Sequence, residues 1–360
     1  MPLVEPSHPY LDRLEPYEPP DLDAAAEGAG VDRDDLIRLV ANENPYGPSP
    51  RVAEALGGFD EVQFHPDYGP LREAVARYAG VSPDQVVLGN GADEMIDLLI
   101  RLFVEPGEAV VICPPTFSMY EFCAQVNRCR VLRAPCREDL SPDPGAIESV
   151  VRSSRGQARL LFVVSPGNPG GLAVPLETVE RLLELPLLVV VDEAYIEFGG
   201  ESAVSLLDRH DNLAILRTFS KWAGLAGLRL GYGLLAPRLA GVLERIRPPY
   251  NVNGAAVAAA MATFEDLDAV QANVARLIEE RERLSDLLGA IDWLDPLPSQ
   301  TNFVLVRIKG REPSSVVDHL AHSGILVRGL SDPEVADCVR ITVGRAEQND
   351  AVIDALRRME

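Results

Sequence analysis

The sequence predicts an α/β fold, with a large unit built on a doubly wound, mostly parallel sheet and a smaller α+β unit. Between residues 84 and 236, short apolar runs rich in β-branched residues alternate with helical stretches, as is typical of parallel sheets. Beyond residue 242, long helices are followed by shorter strands. The five apolar runs that predict the large sheet are residues 85–88, 109–113, 160–164, 187–191 and 213–218.

The smaller unit is predicted from its helix and strand patterns. Residues 254–264 form an alanine-rich helical run, and residues 267–288 form a charged amphipathic helix. The charged residues expected on the solvent side of that second helix are Glu279, Glu280, Arg281, Glu282 and Arg283. Strands are then predicted at 302–308, 325–327 and 339–343, with a closing helix at 347–358.

The N-terminal segment differs from both units. The first fifty residues contain nine prolines and little periodicity, which predicts an extended arm that packs on other parts of the protein. We therefore expect an arm at 1–45 that packs with the small domain and a partner subunit, a large domain at 46–245 and a small domain at 246–360.

Composition excludes several classes of function. The 360 residues are 47% hydrophobic and 24% charged, which is ordinary for a globular protein. The net charge of −22 would repel nucleic acid and anionic membranes. No run of eighteen apolar residues and no signal-peptide core is present, so a cytoplasmic protein is expected. The five cysteines contain no C-x-x-C pair, which predicts buried free thiols and no metal site.

Polar residues follow three of the predicted strands. Asn168 lies in a rigid turn after 160–164, Asp192 and Tyr195 follow 187–191, and Lys221 follows 213–218, with Arg229 beyond it. Ligands of doubly wound sheets bind outside the carboxyl ends of the strands. We therefore expect these side chains to surround one site.

Two other interpretations of these residues remain. An apolar run ending in Asp-Glu also resembles the magnesium-binding strand of P-loop ATPases, but G-x-x-x-x-G-K-[ST] does not occur in the sequence. Alternatively, Asp192 and Lys221 are simply an ion pair at the edge of the sheet. This second alternative is harder to dismiss for each residue alone than for the set that includes Asn168 and Arg229.

A possible anion site follows the strand at 85–88. Gly89–Glu94 opens an amphipathic helix, and backbone N–H groups at a helix start can bind a phosphate, with glycine allowing its close approach. A capped helix without a ligand is the alternative.

Together these motifs resemble the fold-type I pyridoxal-phosphate aminotransferases of class I/II, and within them the histidinol-phosphate aminotransferases. The resemblance covers nearly the whole chain, and its most specific part is the lysine motif, with Arg229 eight residues after Lys221. The matching segments are LEPYEP (14–19), ANENPYGPSP (41–50), GNGADEMI (89–96), PPTFSMY (114–120), SPGNPGG (165–171), VDEAYIEF (191–198), RTFSKWAGLAGLRLGY (217–232), PPYNVN (248–253), PSQTNFVLVR (298–307) and VRITVG (339–344).

The resemblance implies a role for each residue around the ring of pyridoxal 5′-phosphate (PLP). Lys221 would form the Schiff base and later shuttle a proton between substrate and cofactor. Asp192 would pair with the pyridinium nitrogen. Asn168 and Tyr195 would hydrogen-bond the phenolate oxygen, and Phe117 would stack on the ring.

The resemblance also implies residues for the cofactor phosphate and the substrate. The backbone of Ala92 and Asp93, the Ser220 hydroxyl and the Arg229 guanidinium would hold the phosphate, with Thr218 as a weaker candidate. The residues implied at the substrate are Arg340 for an α-carboxylate, Tyr17, Asn44, Tyr120 and Arg328. Arg328 has an alternative interpretation as a solvent-facing strand residue.

The sequence departs from the family pattern at two places. Where these enzymes usually carry a tyrosine that reaches the partner subunit's cofactor phosphate, this chain has His65 in Phe-His-Pro-Asp, and either His65 or Tyr68 would serve. The turn at Asn168 reads Gly-Asn-Pro-Gly-Gly, where Asn-Asn-Pro-Thr-Gly is more usual. Both departures bear on the substrate rather than on the chemistry.

The resemblance thus implies a cytoplasmic homodimer that uses PLP in a ping-pong reaction, with L-histidinol phosphate and 2-oxoglutarate as the favoured substrates. Aromatic amino-acid transamination and decarboxylation of threonine phosphate are the alternatives within the family. A catalytically silent sensor is the alternative of another class, but such proteins usually carry a basic DNA-binding module, which is not found in this sequence.

Overall fold

The computed structural model describes Leu14 and residues 21–359, which contain twelve α-helices and thirteen β-strands in three sheets. The helices are α1 (Leu22–Ala29), α2 (Pro50–Gly57), α3 (Gly69–Ala79), α4 (Gly91–Phe103), α5 (Met119–Val126), α6 (Pro144–Ser153), α7 (Leu176–Leu183), α8 (Pro237–Ile246), α9 (Gly254–Glu265), α10 (Leu267–Gly289), α11 (Pro313–His322) and α12 (Ala346–Arg357). The strands are β1 (Ile37–Arg38), β2 (Val86–Gly89), β3 (Ala109–Ile112), β4 (Arg130–Arg133), β5 (Ala158–Val164), β6 (Leu188–Asp192), β7 (Leu213–Thr218), β8 (Gly231–Leu235), β9 (Leu294–Pro296), β10 (Phe303–Ile308), β11 (Ile325–Leu326), β12 (Arg328–Gly329) and β13 (Cys338–Thr342).

The central sheet has seven strands in the order β2-β8-β7-β6-β5-β3-β4. All neighbours run parallel except β8, which is antiparallel to both β2 and β7. Successive side chains point to opposite faces, and helices cover both faces, so apolar side chains are buried on each. The predicted doubly wound, mostly parallel sheet is therefore confirmed.

Two strands of this sheet were not predicted from the sequence. β4 is an edge strand whose two end arginines are exposed, so it has no apolar run. β8 contains two glycines, which are rare in strands, and Gly233 leaves room for Met95, since a Cβ there would lie 2.7 Å from the Met95 Cε. Neither strand has the pattern by which the other five are recognised.

The C-terminal part of the chain contains a four-stranded antiparallel sheet, β12-β13-β10-β9, packed with α10, α11 and α12. The elements predicted in this part of the chain fall within two residues of their observed bounds, whereas α11, β9 and β12 were not predicted. One prediction here is wrong, because Arg281 does not lie on the solvent side of α10. It is buried, donates to the carbonyl oxygens of Phe198 (3.1 Å) and Thr301 (3.0 Å), and pairs with the carboxylate of Glu282 at 2.8 Å.

The described part of the N-terminal arm packs against the C-terminal part. β1 pairs in parallel with β11, and α1 contacts α11. The prediction of an extended arm is wrong for α1, which Asp21 caps by accepting hydrogen bonds from the N–H groups of Asp23 and Ala24. The run of alanines in α1 has high helix propensity, which outweighs the surrounding prolines.

Two further sequence predictions concern the whole chain. All five cysteines are free thiols and four of them are buried. None of the described helices combines the length and apolar character that crossing a membrane requires.

Candidate active site

Three loops and one helix start meet at the edge of the central sheet where the parallel strands end. Asp192 is the last residue of β6 and Tyr195 follows it, while Asn168 follows β5 and Lys221 follows β7. Because β5, β6 and β7 are neighbouring parallel strands, their carboxyl ends lie side by side. The topology therefore brings these side chains to one edge of the sheet.

Asp192 is buried beneath this edge with two hydrogen-bond donors. Its Oδ1 accepts from the N–H of Ala194 at 3.0 Å, and its Oδ2 accepts from the hydroxyl of Tyr120 at 2.6 Å. Burial raises the pKa of Asp192 to about 6, although both hydrogen bonds act to lower it. The carboxylate is thus poised to pair with a cationic group in the site.

Among the described residues, no carboxylate forms an ion pair with the amine of Lys221. Its Nζ donates to the carbonyl oxygen of Ala41 at 2.9 Å. Burial, together with the nearby Arg340 guanidinium, lowers the pKa of Lys221 to about 8. Because Asp192 is engaged by Tyr120 and Ala194, the two residues do not form the ion pair of the simpler interpretation. A lysine with this pKa is partly neutral near neutral pH and can act as a nucleophile.

Tyr195 is buried, and its hydroxyl accepts a hydrogen bond from Nδ2 of Asn42 at 2.9 Å. Burial raises the pKa of Tyr195, whereas Arg340 and the Asn42 bond act to lower it. Asn42 itself has φ +54°, and its carbonyl oxygen accepts from Nδ2 of Asn302. Sequence reasoning missed Asn42, although asparagine is the ordinary residue type that tolerates this backbone conformation.

Arg340 connects the C-terminal sheet to the site. Its Nη1 donates to Oδ1 of Asn168 at 2.8 Å, and its Nη2 donates to the carbonyl oxygen of Val40 at 3.0 Å. Arg328 is the residue directly opposite Arg340 in the β12–β13 pair. Directly opposed residues share a face of a sheet, so Arg328 lies on the same face as Arg340, which reaches Asn168.

The arm covers the site with three consecutive residues. Val40 contacts Arg340, Ala41 contacts Lys221 and Asn42 contacts Tyr195. Two of these contacts use backbone carbonyl oxygens, which leave no signature in the sequence. The arm therefore contributes to the site through residues that motif analysis did not single out.

The start of α4, where the sequence predicts a phosphate site, lies beside Arg229. The side chain of Asn90, the N-cap residue, accepts no hydrogen bond from the N–H groups of this helix. Nη2 of Arg229 lies 2.8 Å from Oδ2 of Asp93, and a Cβ on Gly91 would lie 2.7 Å from the same Nη2. The first-turn N–H groups, including that of Ala92, and the guanidinium thus face one small space.

Thr218 and Ser220 lie beside this helix start. The hydroxyl of Thr218 donates to Oγ of Ser220 at 3.0 Å, and Thr218 is the register partner of Gly231. A Cβ on Gly231 would lie 2.5 Å from the backbone nitrogen of Ala92, so β8 and α4 are in direct contact there. The five residues predicted to hold a phosphate are therefore gathered in one place.

Two predicted substrate residues require correction. Tyr120 does not line an open pocket, because it is fully buried and bonded to Asp192, with the half-buried Phe117 edge-on to its ring at 5.6 Å. Asn44 is also buried, and its Nδ2 donates to the carbonyl oxygen of Trp222 at 3.1 Å. Asn44 thus holds the loop that carries Lys221 rather than bordering a substrate.

His65 and Tyr68, the two candidates for the partner subunit's phosphate, lie away from these contacts. His65 is exposed and stacks on the ring of Tyr250, with centroids 4.0 Å apart. The hydroxyl of Tyr68 is engaged by the backbone of Val252, to which it donates at 2.7 Å and from which it accepts at 2.9 Å. Tyr17 lies outside the described residues.

Comparison with known proteins identifies the family. A model of the aminotransferase class I and II family matches residues 34–356. The chain belongs to the class I and II aminotransferases. The aminotransferase is 44% identical over 363 residues to the histidinol-phosphate aminotransferase of Roseiflexus castenholzii, covering 98% of this chain and 97% of that protein.

Other relatives of this aminotransferase have similar names. It is 41% identical to the chloroplastic histidinol-phosphate aminotransferase of Nicotiana tabacum, covering 97% of this chain and 85% of that protein. Among solved structures, the histidinol-phosphate aminotransferase of Sinorhizobium meliloti in complex with pyridoxal 5′-phosphate superimposes with a TM-score of 0.88. That match has 30% identity and covers 98% of both chains.

Proposed function

We propose that this aminotransferase moves the amino group of L-histidinol phosphate to 2-oxoglutarate, using pyridoxal 5′-phosphate held beside Lys221. The observation that carries the proposal is the placement of Arg340 and Arg328 opposite each other on one face of the C-terminal sheet, with Arg340 bonded to Asn168. The relatives named histidinol-phosphate aminotransferases support the same substrate.

The residues of the site fit PLP in charge and chemistry. The phosphate has the uncapped start of α4, Arg229 and two hydroxyls as donors. Asp192 would face the ring nitrogen, and Asn168 and Tyr195 would face the ring oxygen. When bound, PLP takes up an amino group at its aldehyde carbon and accepts the electron pair released from the substrate carbon.

The chain's own side chains would supply binding and proton transfer. Lys221 Nζ, with its lowered pKa, would take the proton from the substrate carbon and return a proton to the product. Asp192 would hold a proton on the ring nitrogen because its negative charge favours the protonated form. The arm residues over the site would exclude water from these groups.

The paired arginines favour substrates that carry strong anions. The net charge of −22 disfavours anions at long range, so an anionic substrate needs arginines placed at the site. The phosphate of L-histidinol phosphate and the carboxylates of 2-oxoglutarate both match the guanidinium fork. An aromatic amino acid has one carboxylate and would leave one arginine without an anion.

We also propose that the protein is a cytoplasmic homodimer. Each subunit would divide into an arm (residues 1–45), a large domain (46–245) and a small domain (246–360). Support for the dimer comes from an exposed apolar surface of Val62 (79% exposed), Phe64 (67%) and Tyr250 (53%), with His65 stacked on Tyr250. Large exposed apolar side chains in one area mark a contact surface. Sedimentation of the wild type and of Phe64→Glu tests this part, since a charge there should shift the protein toward monomer.

The cofactor part of the proposal is tested by mapping the modified lysine. The chain contains two lysines, Lys221 and Lys309. Lys309 is exposed and forms an ion pair with Asp295 at the surface. Borohydride reduction of the protein with PLP, followed by peptide mapping, should label Lys221 and leave Lys309 unmodified. Label on Lys309 alone, or none, contradicts the proposal.

The substrate part is tested by half-reaction rates of the PLP-loaded protein. L-histidinol phosphate should react faster than phenylalanine, and threonine phosphate should release no carbon dioxide. A faster reaction with phenylalanine would instead identify an aromatic aminotransferase, and carbon dioxide release would identify a decarboxylase. No reaction with any amino donor would favour a silent binding protein.

A further inference from the structure

Tyr120 lies directly behind Asp192 in the core of the central sheet unit. It is 0% exposed, and its ring stacks on Phe162 with centroids 4.3 Å apart. Its hydroxyl reaches Oδ2 of Asp192 at 2.6 Å, which is short for an O–H···O bond and typical of a charged acceptor. The packing of α5 against β5 therefore aims one phenol at one carboxylate.

The direction of this hydrogen bond follows from the chemistry of the two groups. Burial raises the pKa of Tyr120 well above its usual value, so the phenol keeps its proton and donates it. Asp192 receives this bond on one oxygen and the Ala194 N–H on the other. Both donors favour the ionised carboxylate, which burial alone disfavours.

The other titratable groups around Asp192 do not donate a hydrogen bond to it in place of the Tyr120 hydroxyl. Asp93, from α4, and the neighbouring Glu193 are both acids that raise its pKa. The hydroxyl of Tyr195 is engaged by Nδ2 of Asn42. Among the described side chains, Tyr120 is the one that donates a hydrogen bond to Asp192.

We propose that Tyr120 is a positioning residue that keeps Asp192 ionised and fixes the carboxylate plane toward the ring nitrogen of the bound cofactor. The inference deepens the proposed function and rests on it, because the ring nitrogen belongs to PLP. It assigns to Tyr120 a role behind the cofactor ring, in place of the substrate contact predicted from the sequence.

The first test uses the protein without cofactor. Infrared titration of the Asp192 carboxyl, assigned by its loss in Asp192→Asn, should show its midpoint about one to two pH units higher in Tyr120→Phe than in the wild type. Tyr120→Phe keeps the ring that stacks on Phe162, so the fold should persist, as circular dichroism will report. Tyr232→Phe is the matched control, since it removes a hydroxyl from another fully buried tyrosine, in β8. An unchanged midpoint in Tyr120→Phe, or an equal shift in the control, overturns the proposal.

The second test measures cofactor binding with PLP and with an analogue that has carbon in place of the ring nitrogen. Tyr120→Phe should weaken PLP binding about tenfold or more and should change binding of the analogue by less than about twofold. Equal weakening for both means that Tyr120 acts only by packing, and this overturns the inference while the proposed function stands. Failure of the wild type to bind PLP at all overturns the proposed function, and the inference with it.

Discussion

Arg340 Nη1 donates a hydrogen bond to Oδ1 of Asn168 across 2.8 Å, and this contact joins the C-terminal sheet to the loop after β5. The two residues are 172 positions apart in the chain. One is proposed to bind the anion of the substrate and the other to bind the cofactor. The occupancy of one site can therefore affect the orientation of the side chain that serves the other.

Replacing Arg340 by glutamine should reduce kcat/KM for 2-oxoglutarate about ten- to a hundredfold, because charge-assisted hydrogen bonds to the substrate are lost. Steady-state kinetics measure this effect. Arg307→Gln is the matched control, since Arg307 lies on the same sheet but pairs with Asp337 at the surface. A similar loss in both variants would show that the effect is not specific to the site.

Gly231→Ala should weaken PLP binding, because the added Cβ would lie 2.5 Å from the backbone nitrogen of Ala92 and would displace the start of α4. Fluorescence titration with PLP measures the change in Kd. Gly227→Ala adds the same methyl group where nothing lies within 4 Å, and it should bind PLP as the wild type does. If Gly231→Ala bound PLP with the Kd of the wild type, the start of α4 would not be part of the phosphate site.

Lys221→Met should make the cofactor-free protein more stable than the wild type at pH 7. The pKa of Lys221 is about 8 in the folded state and about 10 when unfolded, so the unfolded state binds more protons between these values. The stability of the wild type should therefore rise with pH across this window, and the advantage of Lys221→Met should shrink from pH 8 to pH 10. Urea unfolding at several pH values measures it, with Lys309→Met as the exposed control. An advantage that does not vary with pH would contradict the lowered pKa.

Asn42→Ala should lower the free energy of unfolding by about 1–3 kcal/mol, since it removes buried hydrogen bonds to Tyr195 and Thr342. It should also raise the pKa of Tyr195 further, because the Asn42 bond acts to lower it. Urea unfolding and ultraviolet titration of the phenol measure the two effects.

Asn42→Gly separates the side chain from the backbone of this residue. Glycine adopts φ +54° without strain, so this variant should recover part of the stability but none of the effect on Tyr195. Recovery of the tyrosine pKa by Asn42→Gly would show that the backbone, and not the amide, sets it.

Sequence patterns were most informative where a segment is buried on both faces or ends in an unusual side chain. β7 was predicted with its observed bounds, because it is a continuous apolar run between polar segments. β8 was missed because its two glycines are rare in strands, and β4 was missed because its end residues are exposed arginines. Both strands depend on pairing with their neighbours in the sheet. The burial of Arg281 was missed for a related reason, since two of the groups that accept its hydrogen bonds are backbone carbonyl oxygens from other parts of the chain.

The sequence by itself determined the fold class and the family, and it predicted the residues of the cofactor site, because local patterns and motifs encode the ends of the parallel strands. Only the tertiary structure decided that Tyr120 lies behind Asp192, that Asn42 contacts Tyr195, that Asn44 contacts Trp222 and that Ala41 contacts Lys221. These contacts join residues 72 to 180 positions apart, and two of them use a backbone oxygen. Distant pairing of this kind depends on how the elements pack, which no local pattern records. The site around Lys221 is thus a product of the whole fold, although its lysine is recognisable from sixteen residues.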